Sequence, residues 1–304
     1  PGTTREVLGP ALEVNGLRAG ADFYLAYSPE REDPGNPTYS TSKIPKVVSG
    51  LTSECREAAL ALYGAIVVST VPVSTLETAE AVKLLENIFR ATNIALVNEM
   101  KLIYEKMGID VWEVIEAAST KPFGFMPFYP GPGLGGHCIP IDPFYLSWRA
   151  RQFGMEARFI ELAGAINTSM PAHVIERLSS ALSDHGKQLA GAKVLVLGAA
   201  YKADVGDPRE SPGIELMQQL RMDGADIAYC DPHVPQLPVQ RKYDLGLQSM
   251  DLTPQGVAAF DAVVIATNHA AYDYAMLAEH AQLIIDTRNA MKGIPDNRGV
   301  VRKA

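Results

Sequence analysis

The chain has 304 residues and a formal net charge of −8, and its Lys and Arg residues form no run. Because nucleic acids are bound largely through their phosphates, an acidic chain of this kind is a poor nucleic-acid binder. No apolar stretch is long enough to cross a membrane. The three cysteines are widely spaced and form no CxxC pair, so we expect neither a disulfide framework nor a metal site, and we predict a cytoplasmic protein.

The residues before Thr75 alternate short apolar runs with helical patterns, which favours a parallel sheet with helices on its faces. A strand that runs into a loop is predicted within residues 21–30, further strands at residues 46–50 and 65–70, and helices at residues 7–14 and 52–64.

The middle of the chain is predicted to be mostly helical. No Gly or Pro occurs from Leu76 to Met107, and the apolar spacing there predicts one long, largely buried helix. Further helices are predicted at residues 110–119, 143–153 and 157–185.

After residue 186 the alternation of strands and helices returns and predicts a small doubly wound domain. Its four predicted strands are residues 193–198, 226–232, 261–269 and 282–289, and a helix is predicted at residues 211–224.

A Gly/Pro-rich segment, "YPGPGLGGHCIPIDP", carries the most unusual cysteine of the chain. A cysteine acts as a nucleophile when its thiolate is stabilised and accessible, and neighbouring glycines let a ligand approach closely. Asp142, four residues after Cys138, would share its side of the chain if a helix begins near Pro140. His137 is adjacent to Cys138, so we expect the two side chains to diverge and exclude a protease-type dyad.

The alternative for any single cysteine is a small buried apolar side chain. That interpretation suits Cys55 and Cys230 well, but it suits a Gly-Gly-His-Cys loop poorly.

Several polar residues occur where apolar ones are expected. Lys83 and Asn87 share one face of the long predicted helix, where a lysine is either snorkelling to solvent or functional. The same helix carries a second polar pair, Asn98 and Glu99. Glu30 follows a predicted strand and is either an acid/base group or an exposed loop charge.

The strand that ends at Gly198 leads toward a helix, as nucleotide-binding strands do, but Ala199, Ala200 and Tyr201 follow instead of the full glycine pattern. Three cations follow strand ends in this region, and they indicate either a bound phosphate group or solvated loop charges. They are Lys202, Arg209 and Arg288.

Taken together, "SPER", "AVKLLENIF", "GPGLGGHCIPIDP", "YKADVGDPRES" and "DTRN", in this order, resemble the UDP-glucose/GDP-mannose dehydrogenase family over nearly the whole chain. The resemblance is closest to the branch that oxidises UDP-N-acetylhexosamines, above all UDP-N-acetylglucosamine. It implies an α/β protein of three parts: an NAD-binding Rossmann-type domain, a central helical dimerisation domain and a Rossmann-like UDP-binding domain.

On this resemblance, residues 1–75 are the remnant of a truncated NAD-binding domain, residues 76–186 the central helical domain and residues 187–304 the UDP-binding domain. The dinucleotide fingerprint is then expected upstream of the chain. The resemblance also implies a homodimer formed through the central helices, with no nucleic-acid or membrane partner.

The resemblance further implies a chemistry, in which NAD is the cofactor and carbon 6 of the sugar is oxidised twice. Cys138 would add to the intermediate aldehyde, giving a thiohemiacetal and then a thioester that water hydrolyses. Lys83 would stabilise the oxyanion, Asn87 and Asp142 would orient the lysine and the water, and Glu30 would act as acid/base or water-positioning carboxylate.

The remaining implied assignments concern binding. Substrate contacts fall to Arg31, Tyr129, Gly135, Tyr201, Lys202 and Arg288, and cofactor contacts to Arg209 and Thr3. Ile141 departs from the UDP-glucose enzymes, which often carry a lysine there that reaches the cofactor.

Three functional hypotheses remain open from the sequence. The intact parent is a UDP-N-acetylglucosamine 6-dehydrogenase for bacterial surface polysaccharide synthesis, with UDP-N-acetylmannosamine or UDP-glucose as the alternative substrate. The chain by itself is a module that binds the UDP-sugar without turnover, or it is a structural dimer without ligand affinity.

Overall fold

The computed structural model describes residues 1–33, 35–36, 38–136, 138–240 and 242–304. Backbone contacts divide the chain into two units. The first consists of residues 1–89 and 142–157, and the second of residues 90–141 and 158–304.

The first unit contains a three-stranded sheet and the helices beside it. A π-helical turn, Thr4–Leu8, continues into α1, Gly9–Leu12. The strands, in the spatial order β1-β2-β3, are Ala26–Tyr27, Lys46–Gly50 and Thr70–Pro72, with β2 antiparallel to β1 and parallel to β3. Helix α2, Ser53–Gly64, follows β2, and the Thr52 hydroxyl caps it by accepting a hydrogen bond from the Cys55 N–H.

Two predicted strands of this unit were wrong in their bounds. Within residues 21–30 only Ala26–Tyr27 joins the sheet, because the Gly20 N–H donates to the Phe23 carbonyl and closes a turn. The strand predicted at residues 65–70 starts only at Thr70. The N–H groups of Ala65, Ile66 and Val67 are bound to the last carbonyls of α2, so an apolar run that looks like a strand begins as a helix end.

Helix α3, Leu76–Met107, confirms the prediction of one uninterrupted helix. The prediction that it is largely buried was wrong in part, because Leu85, Phe89 and Leu96 are exposed. Its residues up to Phe89 belong to the first unit and those from Arg90 to the second. Helix α4, Val111–Ser119, follows in the second unit with Asp110 as its N-cap, and α5, Asp142–Gln152, lies in the first. Helix α6, Arg158–Asp184, returns to the second unit. No helix of the described residues is long and apolar enough to cross a membrane.

The second unit contains a parallel sheet with helices on its two faces, in agreement with the predicted α/β architecture. Its strands, in the spatial order β5-β4-β6-β7-β8, are Asp226–Cys230, Lys193–Leu197, Ala262–Ile265, Ile284–Asp286 and Val301–Lys303. The helices are α7, Pro212–Met222, α8, Pro254–Ala258, and α9, Tyr274–His280.

The sequence predicted four strands here, and the described residues form five. β8 was missed because it has only three residues, and two of them are charged. The other strands end earlier than predicted, because residues such as Asp231 and Thr267 already belong to the loops beyond the sheet.

Both faces of this sheet are buried, which explains its nearly continuous apolar strands. Alternate side chains of β4 belong to separate cores: Val194 and Val196 pack in the cluster that includes α6 and α7, and Leu195 and Leu197 in the cluster that includes α8 and α9. This burial fixes the register, because a shift by one residue would exchange the two sets.

Candidate nucleotide site and candidate nucleophile

The parallel strands of the second unit bring their carboxyl ends to one edge. Leu197 lies opposite Cys230 of β5 and Ile265 of β6, so the loops after these three strands start at the same level. The first connection of the sheet goes to β5, on one side of β4, and β6 lies on the other side. Such a switch in strand order opens a crevice at the carboxyl edge, where α/β proteins bind ligands.

Gly198 makes the close approach of two loops at this edge possible. Its φ is +95°, and a Cβ atom built there would lie 2.3 Å from the Cβ of Thr267, which follows β6. The Thr267 hydroxyl donates to the Ala200 carbonyl over 2.7 Å. The loop after β4 is therefore attached to the loop after β6, and it leads directly into Tyr201 and Lys202.

The carboxylate of Asp231, which follows β5, gathers N–H donors from three loops. Its Oδ2 accepts from the N–H groups of Ala199 and Ala200 over 2.7 and 2.9 Å and lies 3.1 Å from Nε2 of His269. Its Oδ1 accepts from the N–H groups of His233 and Val234 over 2.8 and 3.0 Å. Asp231 is 2% exposed and His269 is fully buried.

These contacts determine the charge of Asp231. Burial alone would raise the pKa of its carboxyl group, but the hydrogen bonds from His269, Ala200 and His233 outweigh burial and lower the pKa to about 2. Asp231 is therefore an anion that closes the loops after β4, β5 and β6 around itself.

Asp204, His233 and His269 place one candidate ligand atom each within 4.8 Å of one another, but they do not fit a metal ion. Nδ1 of His269 accepts from the Asp204 N–H over 2.9 Å, so Nε2 carries the proton and donates to Asp231. Both ring nitrogens of the one buried member are thus engaged within the protein. Asp204 Oδ1 is engaged as well, because it accepts from the Ala270 N–H.

The segment that leads to Cys138 is anchored by buried amides. The Gly131 N–H donates to Oδ1 of Asn98 over 3.0 Å, and Nδ2 of Asn98 donates to Oδ1 of Asn167 over 2.9 Å. Nδ2 of Asn167 in turn donates to the Ala91 carbonyl. Asn98, which the sequence singled out as a polar residue in an apolar helix, is therefore a buried connector between α3, α6 and this segment.

Further along, the segment packs on the loop after β4. A Cβ atom on Gly135 would lie 2.6 Å from the Cβ of Tyr201, and the Gly136 N–H donates to the Arg209 carbonyl over 3.2 Å. The structure thus brings together Gly135 and Tyr201, two residues assigned to substrate from the sequence. Only glycine allows this contact.

Cys138 follows two residues later and is half-buried, with a thiol that is not part of a disulfide. The Ile141 N–H donates to its carbonyl, which turns the chain. Cys138 also contributes to the electrostatic environment of Arg209. The expectation for His137 lies outside the described residues.

Arg288, which follows β7, lies against the same segment. Its Nε donates to the Ala266 carbonyl over 2.9 Å, and its guanidinium fills the space where a Gly131 side chain would be. Burial lowers the pKa of Arg288 to about 10, while Asp286 acts in the opposite direction. The guanidinium therefore remains a cation at neutral pH, although most of its surroundings are protein.

The three cations predicted at this edge differ in their partners. The guanidinium of Arg209 is exposed and pairs with Asp207 over 2.6 Å, so its charge is compensated within its own loop. Lys202 is half-buried.

Tyr129 is 49% exposed, and its ring stacks on Trp112 of α4 at 5.8 Å.

In the first unit, Asn87 and Asp142 form a hydrogen bond of 2.7 Å between α3 and the first residue of α5. The helix predicted at residues 143–153 starts at Asp142, and not near Pro140. Asn87 is 2% exposed. Lys83, one turn earlier on α3, is half-buried and forms no ion pair with a described residue.

Glu30 is exposed but fully engaged. Its carboxylate accepts from Nζ of Lys46 over 2.9 Å and from the N–H groups of Arg31 and Glu32. Although burial acts to raise the pKa of Glu30, these hydrogen bonds lower it overall, so the carboxylate is ionised. The guanidinium of Arg31 is bound to Glu86 over 2.7 Å and to the Pro45 carbonyl over 2.8 Å.

Thr3 is exposed at the start of the first helical turn, in a segment that a buried carboxylate holds. Glu80 of α3 accepts from the N–H groups of Gly2 and Thr4 and from the Thr4 hydroxyl. The Thr3 side chain is therefore exposed in a segment that is held in place.

Known proteins resemble this chain over most of its length. Residues 77–169 match the model of the UDP-glucose/GDP-mannose dehydrogenase family, central domain, and residues 195–293 match the UDP binding domain of the same family. The UDP-N-acetyl-D-glucosamine 6-dehydrogenase of Pseudomonas aeruginosa is 36% identical over 277 residues, which cover 90% of this chain and 64% of that protein. The UDP-N-acetyl-D-mannosamine dehydrogenase of Pyrococcus horikoshii is 34% identical, over 97% of this chain and 68% of that one.

The chain belongs to the UDP-glucose/GDP-mannose dehydrogenase family. The solved structure of the UDP-D-ManNAc dehydrogenase from Pyrococcus horikoshii matches all of this chain and 70% of its own, with a TM-score of 0.87 at 33% identity. The chain thus spans just under two thirds of the Pseudomonas relative and a little more of the Pyrococcus one.

Sequence reasoning missed the residues that hold this candidate site in shape. Asp231 was read as the end of a strand, and neither His269 nor Asn167 was singled out. A carboxylate directly after a buried parallel strand is a signal that could have identified Asp231, because loop N–H groups converge there. Asn167 and His269 gave no such signal, since their partners are distant in sequence.

Replacing Asp231 with Asn should destabilise the fold. The amide keeps one acceptor oxygen and turns an NH2 group toward N–H donors, so we expect the free energy of unfolding to fall by about 3 kcal/mol. Urea unfolding at neutral pH measures this loss. Asp251→Asn, at an exposed aspartate, is the matched control and should change the value by less than about 0.5 kcal/mol.

The same variant makes a pH-dependent comparison possible. The pKa of Asp231 is lower in the folded state than in the unfolded chain, so its stabilisation is present above the ordinary value of 3.8 and is lost as the pH falls toward about 2. The stability gap between wild type and Asp231→Asn should therefore narrow over this interval. A constant gap would contradict the assignment of an ionised, hydrogen-bonded Asp231.

Proposed function

We propose that the intact protein is an NAD-dependent UDP-N-acetylglucosamine 6-dehydrogenase, and that this chain by itself binds the UDP-sugar. UDP-N-acetylmannosamine or UDP-glucose is the alternative substrate, because a single hydroxyl or amide distinguishes these sugars. The observation that carries the proposal is the packing of Gly135 on Tyr201, which joins the segment of the half-buried Cys138 thiol to the loop at the carboxyl edge of the sheet.

The proposal keeps three functional parts. Residues 76–186 and 187–304 would be the central and UDP-binding domains, in line with the family matches at 77–169 and 195–293. Residues 1–75 would belong to the NAD-binding domain. Thr3 and Arg209 fit a cofactor in part: both expose polar groups, and the segment of Thr3 is held by Glu80. When bound, NAD accepts a hydride in each of the two oxidations.

Nucleotide binding is assigned to the edge of the parallel sheet. Arg288 and Lys202 would pair with the diphosphate, since a guanidinium matches phosphate oxygens bidentately. Tyr201, Gly135, Tyr129 and Arg31 would contact the remainder of the substrate. Arg31 is already bound to Glu86 and to the Pro45 carbonyl. It would therefore contact the substrate as a fixed hydrogen-bond donor whose charge is compensated, and not as an unpaired cation.

The chemistry at carbon 6 is assigned to Cys138. Once the alcohol has been oxidised to the aldehyde, the thiolate adds to the carbonyl carbon and forms a thiohemiacetal. Loss of a second hydride gives a thioester, and water then releases the carboxylate and regenerates the thiol. A thiol is needed because it holds the aldehyde in a form that can be oxidised again.

The polar residues of the first unit are assigned supporting roles. Lys83, half-buried and without an ion pair to a described residue, would stabilise the negative oxygen of each intermediate. The Asn87–Asp142 hydrogen bond would orient that ammonium and the hydrolytic water. Glu30 is ionised and bound to Lys46, so it suits the role of a base or water-positioning group better than that of an acid.

A homodimer through the central helices is part of the proposal. Helix α3 exposes a row of apolar side chains at helical spacing, and a monomer in water would leave this row unburied. The row consists of Leu85, Phe89, Leu96, Ile103 and Met107.

UDP binding by this chain tests the nucleotide assignment. Isothermal titration calorimetry should detect UDP binding, and Arg288→Met should weaken the affinity about 10- to 100-fold because a charge-assisted hydrogen bond is lost. Arg90→Met, at an exposed arginine, is the control and should bind as the wild type does. Absence of heat at millimolar UDP would favour the structural dimer without ligand affinity.

Turnover tests the role of the thiol. In the intact enzyme, Cys138→Ser should reduce net uronate formation to background, because a serine hydroxyl adds to the aldehyde less readily than a thiolate does, and the ester formed after oxidation is hydrolysed more slowly than a thioester. NADH formation and the uronate product are followed together, and Cys55→Ala, at a fully buried thiol, is the control. Full activity of Cys138→Ser would remove the thioester from the mechanism, and turnover by this chain alone would contradict its assignment as a binding module.

The association state is tested by sedimentation equilibrium. We expect a mass of twice 32.8 kDa for this chain and a shift toward the monomer in Leu96→Glu. Leu62→Glu, at an exposed leucine of α2, should leave the mass unchanged. A wild-type mass of 32.8 kDa at micromolar concentration would contradict the dimer.

A further inference from the structure

The second unit contains a cavity beside the carboxyl end of β8, the edge strand that lies at the opposite end of the sheet from β5. It measures about 280 Å³ and lies among the end of α3, the start of α4, α6 and the last strand. Charged side chains dominate its lining: Lys101, Glu105, Asp110, Arg177 and Lys303. A neighbouring cavity of about 320 Å³ shares Asp110, Trp112 and Lys303 with it.

Two of the three lining cations already have carboxylate partners. Nε of Arg177 lies 2.7 Å from Oε1 of Glu105, and Nζ of Lys303 lies 2.6 Å from Oδ2 of Asp110. His173 also lies beside Glu105, at 3.1 Å. The side chains that line the cavity therefore carry one positive charge in excess, and this charge belongs to Lys101.

Lys101 is 5% exposed, and its ammonium has no hydrogen-bond partner among the described residues. Burial is the main cause that lowers the pKa of Lys101, to about 8, and Arg288 and Arg177 act in the same direction, while Glu105 and Asp286 oppose them. The group still carries a proton at neutral pH. A buried ammonium without a partner is strongly destabilising, so this cation calls for an anion that the chain itself does not supply.

We propose that this cavity binds a small organic carboxylate, whose oxygens pair with the ammonium of Lys101. A single negative charge balances the excess charge of the lining, whereas a phosphate dianion would reverse its sign. Ile109, Val111 and the buried Trp112 also line the cavity and offer apolar surface to the body of such a ligand. The cavity does not include Cys138 or the residues assigned to the nucleotide.

Thermal unfolding of this chain at constant ionic strength tests the proposal. Chloride is replaced stepwise by acetate or by propionate, with saturating UDP present so that the nucleotide residues are occupied. Both carboxylates should raise the melting temperature with a saturable dependence on concentration. In Lys101→Met this response should weaken at least tenfold in apparent affinity, whereas Lys106→Met, at an exposed lysine of the same helix, should respond as the wild type does.

A second measurement observes the ammonium directly. In protein labelled with 13C at the lysine ε-carbon, the resonance that disappears in Lys101→Met should titrate with a midpoint near pH 8. Saturating acetate should move this midpoint upward, because a bound anion favours the charged amine. Because its low midpoint identifies this resonance in the wild-type protein alone, an unchanged midpoint would overturn the proposal even if Lys101→Met failed to fold.

The other outcomes are equally decisive. No saturable carboxylate response in the wild type, or the same response in Lys101→Met, overturns the site. A response to inorganic phosphate without one to acetate overturns the choice of a carboxylate. Failure of the chain to bind UDP would refute the nucleotide proposal, but it would leave the acetate titration and its dependence on Lys101 unaffected.

Discussion

The interaction on which the second unit depends is the gathering of five N–H donors by one buried carboxylate. Asp231 ties the loops after β4, β5 and β6 to each other, so the backbone beyond Gly198 has one course rather than many. A neutral side chain could satisfy some of these donors but not all. The negative charge is itself stabilised by the same donors, which is why the group can remain ionised although almost no solvent reaches it.

A nucleotide site built from several loops requires that each loop be held in one conformation. The side chains assigned to UDP come from loops that follow different strands. Contacts between these loops are therefore needed to fix the side chains relative to each other. Here the loop after β4 is clamped by Asp231 and Thr267, and its Tyr201 in turn supports the glycines before Cys138. The sheet thus holds the loop after β4 in place, and this loop in turn supports the segment of the candidate nucleophile.

Much of the fold could be predicted because it depends on local patterns. The uninterrupted run from Leu76 to Met107 predicted α3 to the residue, and the apolar strands predicted the parallel sheet. What failed depended on distant partners. Residues 65–67 have the apolar pattern of a strand, but their N–H groups donate to the last carbonyls of α2. Strand β8 is too short and polar to be recognised without its pairing to β7. For the site, Cys138 and Arg288 could be singled out by their chemistry alone. The supporting roles of His269 and Asn167 could not be predicted, because their hydrogen-bond partners lie 38 and 69 positions away in the sequence.

Asp231 and Lys101 are both buried charges, but they differ in whether the described residues compensate the cost of removing the charge from water. Asp231 is surrounded by donors within hydrogen-bond distance, so its hydrogen bonds outweigh the cost of its burial. Lys101 lacks a partner among the described residues and is repelled by Arg177 and Arg288, so its burial opposes stability. A lysine of this kind is not needed to fill space, since methionine has a similar shape and no charge. Lys101 also lies one helical turn from Asn98, which holds Gly131 and with it the segment that leads to Cys138. An anion that neutralises Lys101 would therefore act on α3 close to the point where this helix supports the candidate site, and it would offset the cost of the buried charge.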